Sequence, residues 1–162
     1  MRLQIYSDLH LERGAVAPEV GDADVIVLAG DIHTGTRGID WAKTLDKPVI
    51  YVAGNHEFWG EDYGDHLEAL RQAAAGSAVH FLENEAVIVQ GVRFLGCTLW
   101  TDYANGHDAM VDFGHWMNDH QEIRAAGWWT PDNRARHLEL VNALFHFSIY
   151  SALTIQDQAV ME

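Results

Sequence analysis

The chain of 162 residues carries a single cysteine, Cys97. That excludes an internal disulfide framework and any zinc site made of clustered cysteines, and it fits a reducing compartment. Basic residues are scarce: ten Lys and Arg stand against twenty-four Asp and Glu, for a formal charge of −14. With so little basic surface to displace counterions, neither a nucleic-acid groove nor an anionic membrane is expected as a partner. No segment reaches the ~18 consecutive apolar residues of a membrane span. Asp8 and His10 interrupt the start of the chain before a signal-peptide pattern can form. The expectation is a soluble, cytoplasmic protein. Repeats, low-complexity tracts and linkers are missing too. What remains is an ordinary globular balance, 48% hydrophobic and 21% charged, over about one domain's length. Ten histidines are the unusual surplus.

Three short apolar runs share one grammar. Leu3–Tyr6 leads into Ser7-Asp8-Leu9-His10, Val25–Ala29 into Gly30-Asp31-Ile32-His33, and Val49–Ala53 into Gly54-Asn55-His56-Glu57. The second and third are β-branched runs with no polar interruption, the mark of parallel strands buried on both faces. Each stops at Gly or Ser followed by polar residues, as the carboxyl end of a strand does. Successive acidic or amide positions recur about two dozen residues apart, short of the roughly 30 of a full βαβ unit, so the crossovers must be brief. Residues 38–45 suit one such crossover. Further on, 61–75 has helical spacing before Gly76, and 79–82, 86–90 and 92–100 read as strands, with Gln90-Gly91 closing a hairpin. Residues 101–136 are polar loop and helix, with Pro131 a helix start. Leu140, Leu144, Phe147 and Tyr150 recur at helical spacing and predict a C-terminal helix within Leu138–Glu162.

If the three strands are parallel neighbours, Asp8, His10, Asp31, Asn55 and His56 converge at their carboxyl ends, where open α/β sheets hold ligands. These are oxygen and imidazole donors, a set suited to Mn, Fe or Zn. Asp31 has two oxygens with which to bridge two cations, and Asn55 offers a neutral carbonyl. Two metals ~3.5–4 Å apart clamp phosphoryl oxygens and acidify water. Each motif alone also reads as a turn or a helix cap. The three together, in order, point to chemistry.

Asp8-x-His10, then Gly30-Asp31, then Gly54-Asn55-His56-Glu57 resembles the opening half of the calcineurin-like metallophosphoesterase signature. The resemblance implies an α/β fold, a metallophosphoesterase-type four-layer α/β/β/α sandwich. It also implies two divalent metal ions (Mn, Fe or Zn). Asp8 and His10 would bind one metal, Asp31 would bridge both, and Asn55 would bind the second. His56 would not be a ligand: it would contact the phosphate and help protonate the leaving group, with Glu57 or an upstream Asp favouring its charged form. The implied activity is hydrolysis of a phosphate mono- or diester by a metal-bound hydroxide, on a small-molecule phosphoester or a phosphoprotein.

The family's later motifs, a strand ending in His and a Gly-His-x-His loop, are not found. Gly106-His107 and Gly114-His115 lack the second histidine. The expectation is a single domain over 1–162: 1–100 matches the family core, 101–136 is a variable insert, and 137–162 is an atypical tail on a C-terminally truncated chain. One metal rather than two is then an alternative, as is a catalytically impaired fragment that self-associates through its apolar tail. His107, His115 and His120 are either a substrate rim or solvated loop residues, and His146 is a helix residue or a displaced strand histidine. Trp59, Tyr63, Trp100, Tyr103 and Trp116 either stack a substrate ring or pack the core. A phosphoacceptor receiver-like domain using Asp8 and Asp31 is a third reading, short of a suitably late lysine.

Overall fold

The computed structural model describes residues 1–98 and 116–124, with the backbone alone at His120 and over 153–157. Four parallel strands form the first sheet in the order β1 (Leu3–Tyr6), β2 (Val25–Ala29), β3 (Val49–Val52) and β4 (Val79–Phe81). Tyr6 pairs with Leu28, Leu28 with Tyr51, and Tyr51 with Phe81, so the carboxyl ends of the strands finish level. The crossovers are as brief as the spacing requires. Helix α1 (Arg37–Ala42) links β2 to β3, and α2 (Tyr63–Ala74) links β3 to β4. Helix α2 starts two residues later than its periodicity predicts because Asp62 caps it. The Asp62 backbone is extended, and its carboxylate accepts from Gly64 N (3.1 Å) and Asp65 N (3.4 Å).

Alternating side chains of the central strands serve two cores. Ile26, Leu28, Val49 and Tyr51 pack with Ile39, Ala42, Leu70 and Ala74 of the helices. Val25, Val27, Ile50 and Val52 face the other way, onto Leu82, Val89 and Phe94. Burial on both faces is why these strands read as unbroken apolar runs. The second core belongs to an antiparallel sheet of β5 (Glu85–Val89), β6 (Val92–Gly96) and β7 (Leu153–Asp157). Gln90 and Gly91 join β5 to β6 with φ of 52° and 80°, the two positive values a tight primed turn demands. Helices, parallel sheet and antiparallel sheet are thus stacked, three layers of the expected sandwich among the described residues. No helix among them is long and apolar enough to cross a membrane.

The C-terminal expectation needs correcting in part. Residues 153–157 lie within the Leu138–Glu162 stretch expected to hold a helix, yet they pair with β6 as a strand, Gly96 with Leu153 and Val92 with Asp157. The free edge of β6 offers unpaired backbone groups, and Leu-Thr-Ile with its β-branched residues suits a ladder better than a helix turn. Leu140, Leu144, Phe147, Tyr150 and Pro131 lie outside the described residues.

Thr98 ties the two sheets at the site end. Its hydroxyl donates to Ala53 O (2.8 Å), and its backbone N–H to Glu83 Oε2 (2.8 Å). Glu83 is buried, and its other oxygen has no hydrogen-bond partner among the described residues. Burial lifts its carboxyl above the ordinary glutamate value, against the bonds from Thr98 and the charge of Arg71. A raised folded-state value means that stability is fully present below the unfolded value, near pH 4.5, and is lost as pH rises through the folded one. Replacing Glu83 with Gln should therefore flatten the stability decline above pH 4.5 relative to wild type. Urea unfolding across the pH range checks this; parallel profiles for the two proteins would contradict it.

Candidate metal centre

The loops leaving β1, β2 and β3 are laced together by their backbones. Asp8 N donates to Gly30 O, His10 N to Asp31 O and Leu11 N to Ile32 O, each at 3.0 Å. Five non-glycine residues among those described have positive φ, and three of them are Asp8 (54°), His10 (45°) and Asp31 (55°). A left-handed backbone costs a side-chain-bearing residue about 1–2 kcal/mol, and such strain collects where structure is committed to function. The outcome is convergence: one ligand atom from each of Asp8, His10 and Asp31 lies within 4.8 Å of the others. Asp31 Oδ1 is also held by the backbone N–H of His56 (2.9 Å), which seats the third loop against the second. A Cβ at Gly54 would overlap the Asp31 carboxylate, so only glycine lets the β3 loop pass this close.

His56 and Glu57 occupy a short 3-10 turn, His56–Phe58, and point to different tasks. Glu57 is 0% exposed. Its Oε2 accepts from Asp31 N (3.1 Å) and Gly54 N (2.8 Å), and its Oε1 from Ile32 N (2.9 Å) and the Tyr51 hydroxyl (2.8 Å). Burial raises its carboxyl above the usual range, with Asp31 adding to the rise, while the bonds from Ile32, Tyr51 and Gly54 oppose it. Burial and the neighbouring Glu57 charge push the Tyr51 hydroxyl well above 10.0. Glu57 is therefore a staple between two loops and not the acid beside His56.

That acid is Glu12, on the 3-10 turn Leu11–Arg13 that follows β1. Its Oε1 sits 3.1 Å from His10 Nδ1 and 3.0 Å from His56 Nδ1. The two rings meet edge to face, with centroids 4.3 Å apart. A carboxylate only accepts, so each imidazole donates its Nδ1 proton and keeps Nε2 for other work. Burial acts to raise the Glu12 carboxyl. The bonds from its own backbone N–H, His10 and His56, with the charge of His10, outweigh burial and hold it below the ordinary value.

Asn55 and Trp59 flank His56 and share a partner from a distant segment. Asn55 Nδ2 donates to Asp119 Oδ1 (2.6 Å), and Trp59 Nε1 donates to the same oxygen (2.8 Å). The Trp59 ring stacks on His56, with centroids 3.8 Å apart and planes 25° apart. Asp119 opens the short helix α3 (Asp119–Glu122). Its segment docks through Gly60 N to Glu122 O (2.8 Å) and through Arg124 N to Glu61 O (2.8 Å), with Ile123 buried in the helical core.

The family model of the calcineurin-like phosphoesterase superfamily domain matches residues 1–125. The chain belongs to that superfamily. No curated protein matches it. Calcineurin-like phosphoesterases form a metal-dependent family, so membership implies divalent-metal binding. The strand order β1-β2-β3-β4 also differs from the 2-1-3-4-5 order of receiver domains, which removes the phosphoacceptor reading.

The donors fit such a cation. Oxygen and imidazole ligands gather in the Asp8, His10 and Asp31 group, and a second group of His10, Glu12 and His56 lies against it. Glu12 Oε2 is buried with no hydrogen-bond partner among the described residues, an orphaned carboxylate oxygen beside both imidazoles. Two residues escape sequence reasoning here, Glu12 and Asp119. Glu12 carried one faint signal, an acid two positions beyond His10 in Asp-x-His-x-Glu; Asp119 carried none. Of the aromatic rim, Tyr63 is buried in the core, Trp59 stacks on His56, and Trp116 is 83% exposed. Trp100, Tyr103, His107, His115 and His146 lie outside the described residues, and only the backbone of His120 is placed, in α3.

Proposed function

We propose that this domain hydrolyses a phosphate mono- or diester, with a cation held by Asp8, His10 and Asp31 and a second shared by Asp31 and Asn55. The observation that carries this reading is the convergence of Asp8, His10 and Asp31 on left-handed backbone. Divalent cations so placed would clamp phosphoryl oxygens and lower the pKa of water. The rest falls to the side chains. Glu12 fixes the His10 ring through Nδ1, leaving Nε2 as a lone-pair donor, the outer-shell arrangement that keeps a ligating imidazole in one tautomer. The same oxygen accepts the Nδ1–H of His56, and a His56 protonated on both ring nitrogens would present its Nε2 proton to the leaving group. Trp59 packs the flat face of His56 and limits its tilt. The substrate is a small-molecule or protein phosphoester, and Mn, Fe or Zn suits the donors.

The test is hydrolysis of p-nitrophenyl phosphate and its bis ester by the purified chain with Mn²⁺, alongside elemental analysis. His56→Ala should lower the rate about 10²–10⁴-fold, the usual contribution of a positioned acid, while metal content stays at the wild-type level. Metal lost with His56 would make it a ligand instead. A one-cation domain with little turnover is the second reading, favoured because only Asp31 and Asn55 serve the second position among the described residues. One metal per chain in the elemental analysis would select it.

A further inference from the structure

We infer that Asp119 is a positioning residue for the centre: it sets the orientation of the Asn55 amide and the seat of Trp59 under His56. The inference rests on the reading of Asn55 as a cation ligand. An asparagine amide can sit either way round, and only its hydrogen bonds decide which end faces a cation. Asp119 supplies that decision. A carboxylate has no proton to give, so the group 2.6 Å from Asp119 Oδ1 must be the Asn55 NH₂, and the carbonyl oxygen is turned to the opposite side. The same oxygen takes the indole N–H of Trp59 at 2.8 Å. Trp59 in turn stacks on His56. One carboxylate oxygen therefore governs the side chains on both sides of His56. It is held by a segment that reaches the β3 loop only through docking, by the backbone bonds at Gly60 and Glu61 and by Arg124 Nη2 donating to Gly60 O (2.7 Å).

Loss of an outer-shell partner commonly weakens metal binding 10–100-fold. Equilibrium dialysis with Mn²⁺ compares wild type, Asn55→Ala, Asp119→Ala and Asp119→Asn. The expected result is that Asn55→Ala and Asp119→Ala both weaken the Asn55-dependent cation by 10–100-fold. Asp119→Asn, whose oxygen still accepts both bonds, should restore it, a rescue that a merely structural contact would not need. Wild-type binding by Asp119→Ala, with Asn55→Ala impaired, overturns the inference and leaves the ligand reading standing. Wild-type binding by Asn55→Ala overturns the ligand reading and the inference with it. Should Asp119→Ala fail to fold, nitrogen-15 NMR of the wild type decides. The Asn55 side-chain amide and the Trp59 indole proton should both exchange slowly and shift together when Zn²⁺ is added. A fast-exchanging, unshifted Asn55 amide overturns the inference.

Discussion

Replacing Glu57 with alanine is expected to cost about 3–5 kcal/mol, the scale of removing one partner from a buried charged network. Four donors converge on this carboxylate: the N–H groups of Asp31, Ile32 and Gly54, and the Tyr51 hydroxyl. Each would be left in a dry interior, where an unmet polar group costs about 1–3 kcal/mol before relaxation admits water. Glutamine is no remedy. Both oxygens of Glu57 accept two bonds, so an amide nitrogen in either place meets two donors head on. Urea unfolding at neutral pH measures both variants. A midpoint for Glu57→Ala indistinguishable from wild type would show that the staple holds nothing.

Asp31→Asn should leave the fold and remove the chemistry. The amide oxygen can still accept from His56 N, and its volume matches the gap above Gly54. What disappears is the negative charge that Asp31 brings close to Asp8 and His10. The loss in Mn²⁺-dependent hydrolysis should exceed the ~100-fold of an outer-shell change, with metal content falling in parallel. Without metal the variant should be at least as stable as wild type, since a carboxylate beside Asp8 and acting on Glu57 has been neutralised. Turnover above a tenth of wild type would refute the role given to Asp31.

How much of this was legible depends on distance along the chain. β2 and β3 could be read because both faces of each strand are buried, which leaves no polar residue to blur the run. Asp31 was readable because it follows β2 closely. Asp8 and His10 follow β1, a weaker run with Gln4 and an exposed Ile5, and were readable because the strand-then-polar pattern repeats. β7 was not, since its five residues take strand form through β6, a partner far back along the chain that pairs Gly96 with Leu153 and Val92 with Asp157. His56 and Glu57 invited pairing as sequence neighbours. In a 3-10 turn of three residues per turn, however, adjacent side chains diverge by roughly 120°, and Glu57 turns inward while His56 meets Glu12. Glu12 and Asp119 could be found only once the left-handed turns after β1 and the docking of 116–124 had a shape.

The stapled loops bear on how a cation would be received. With Asp31 and Gly54 fastened by a buried side chain and the backbones of the first two loops interlaced, the cage is assembled during folding. An arriving ion then finds preorganised ligands and forfeits little entropy in ordering them. Discrimination among ions accordingly falls to the hardness of the donors and the fixed span between them, rather than to how far the polypeptide can adjust.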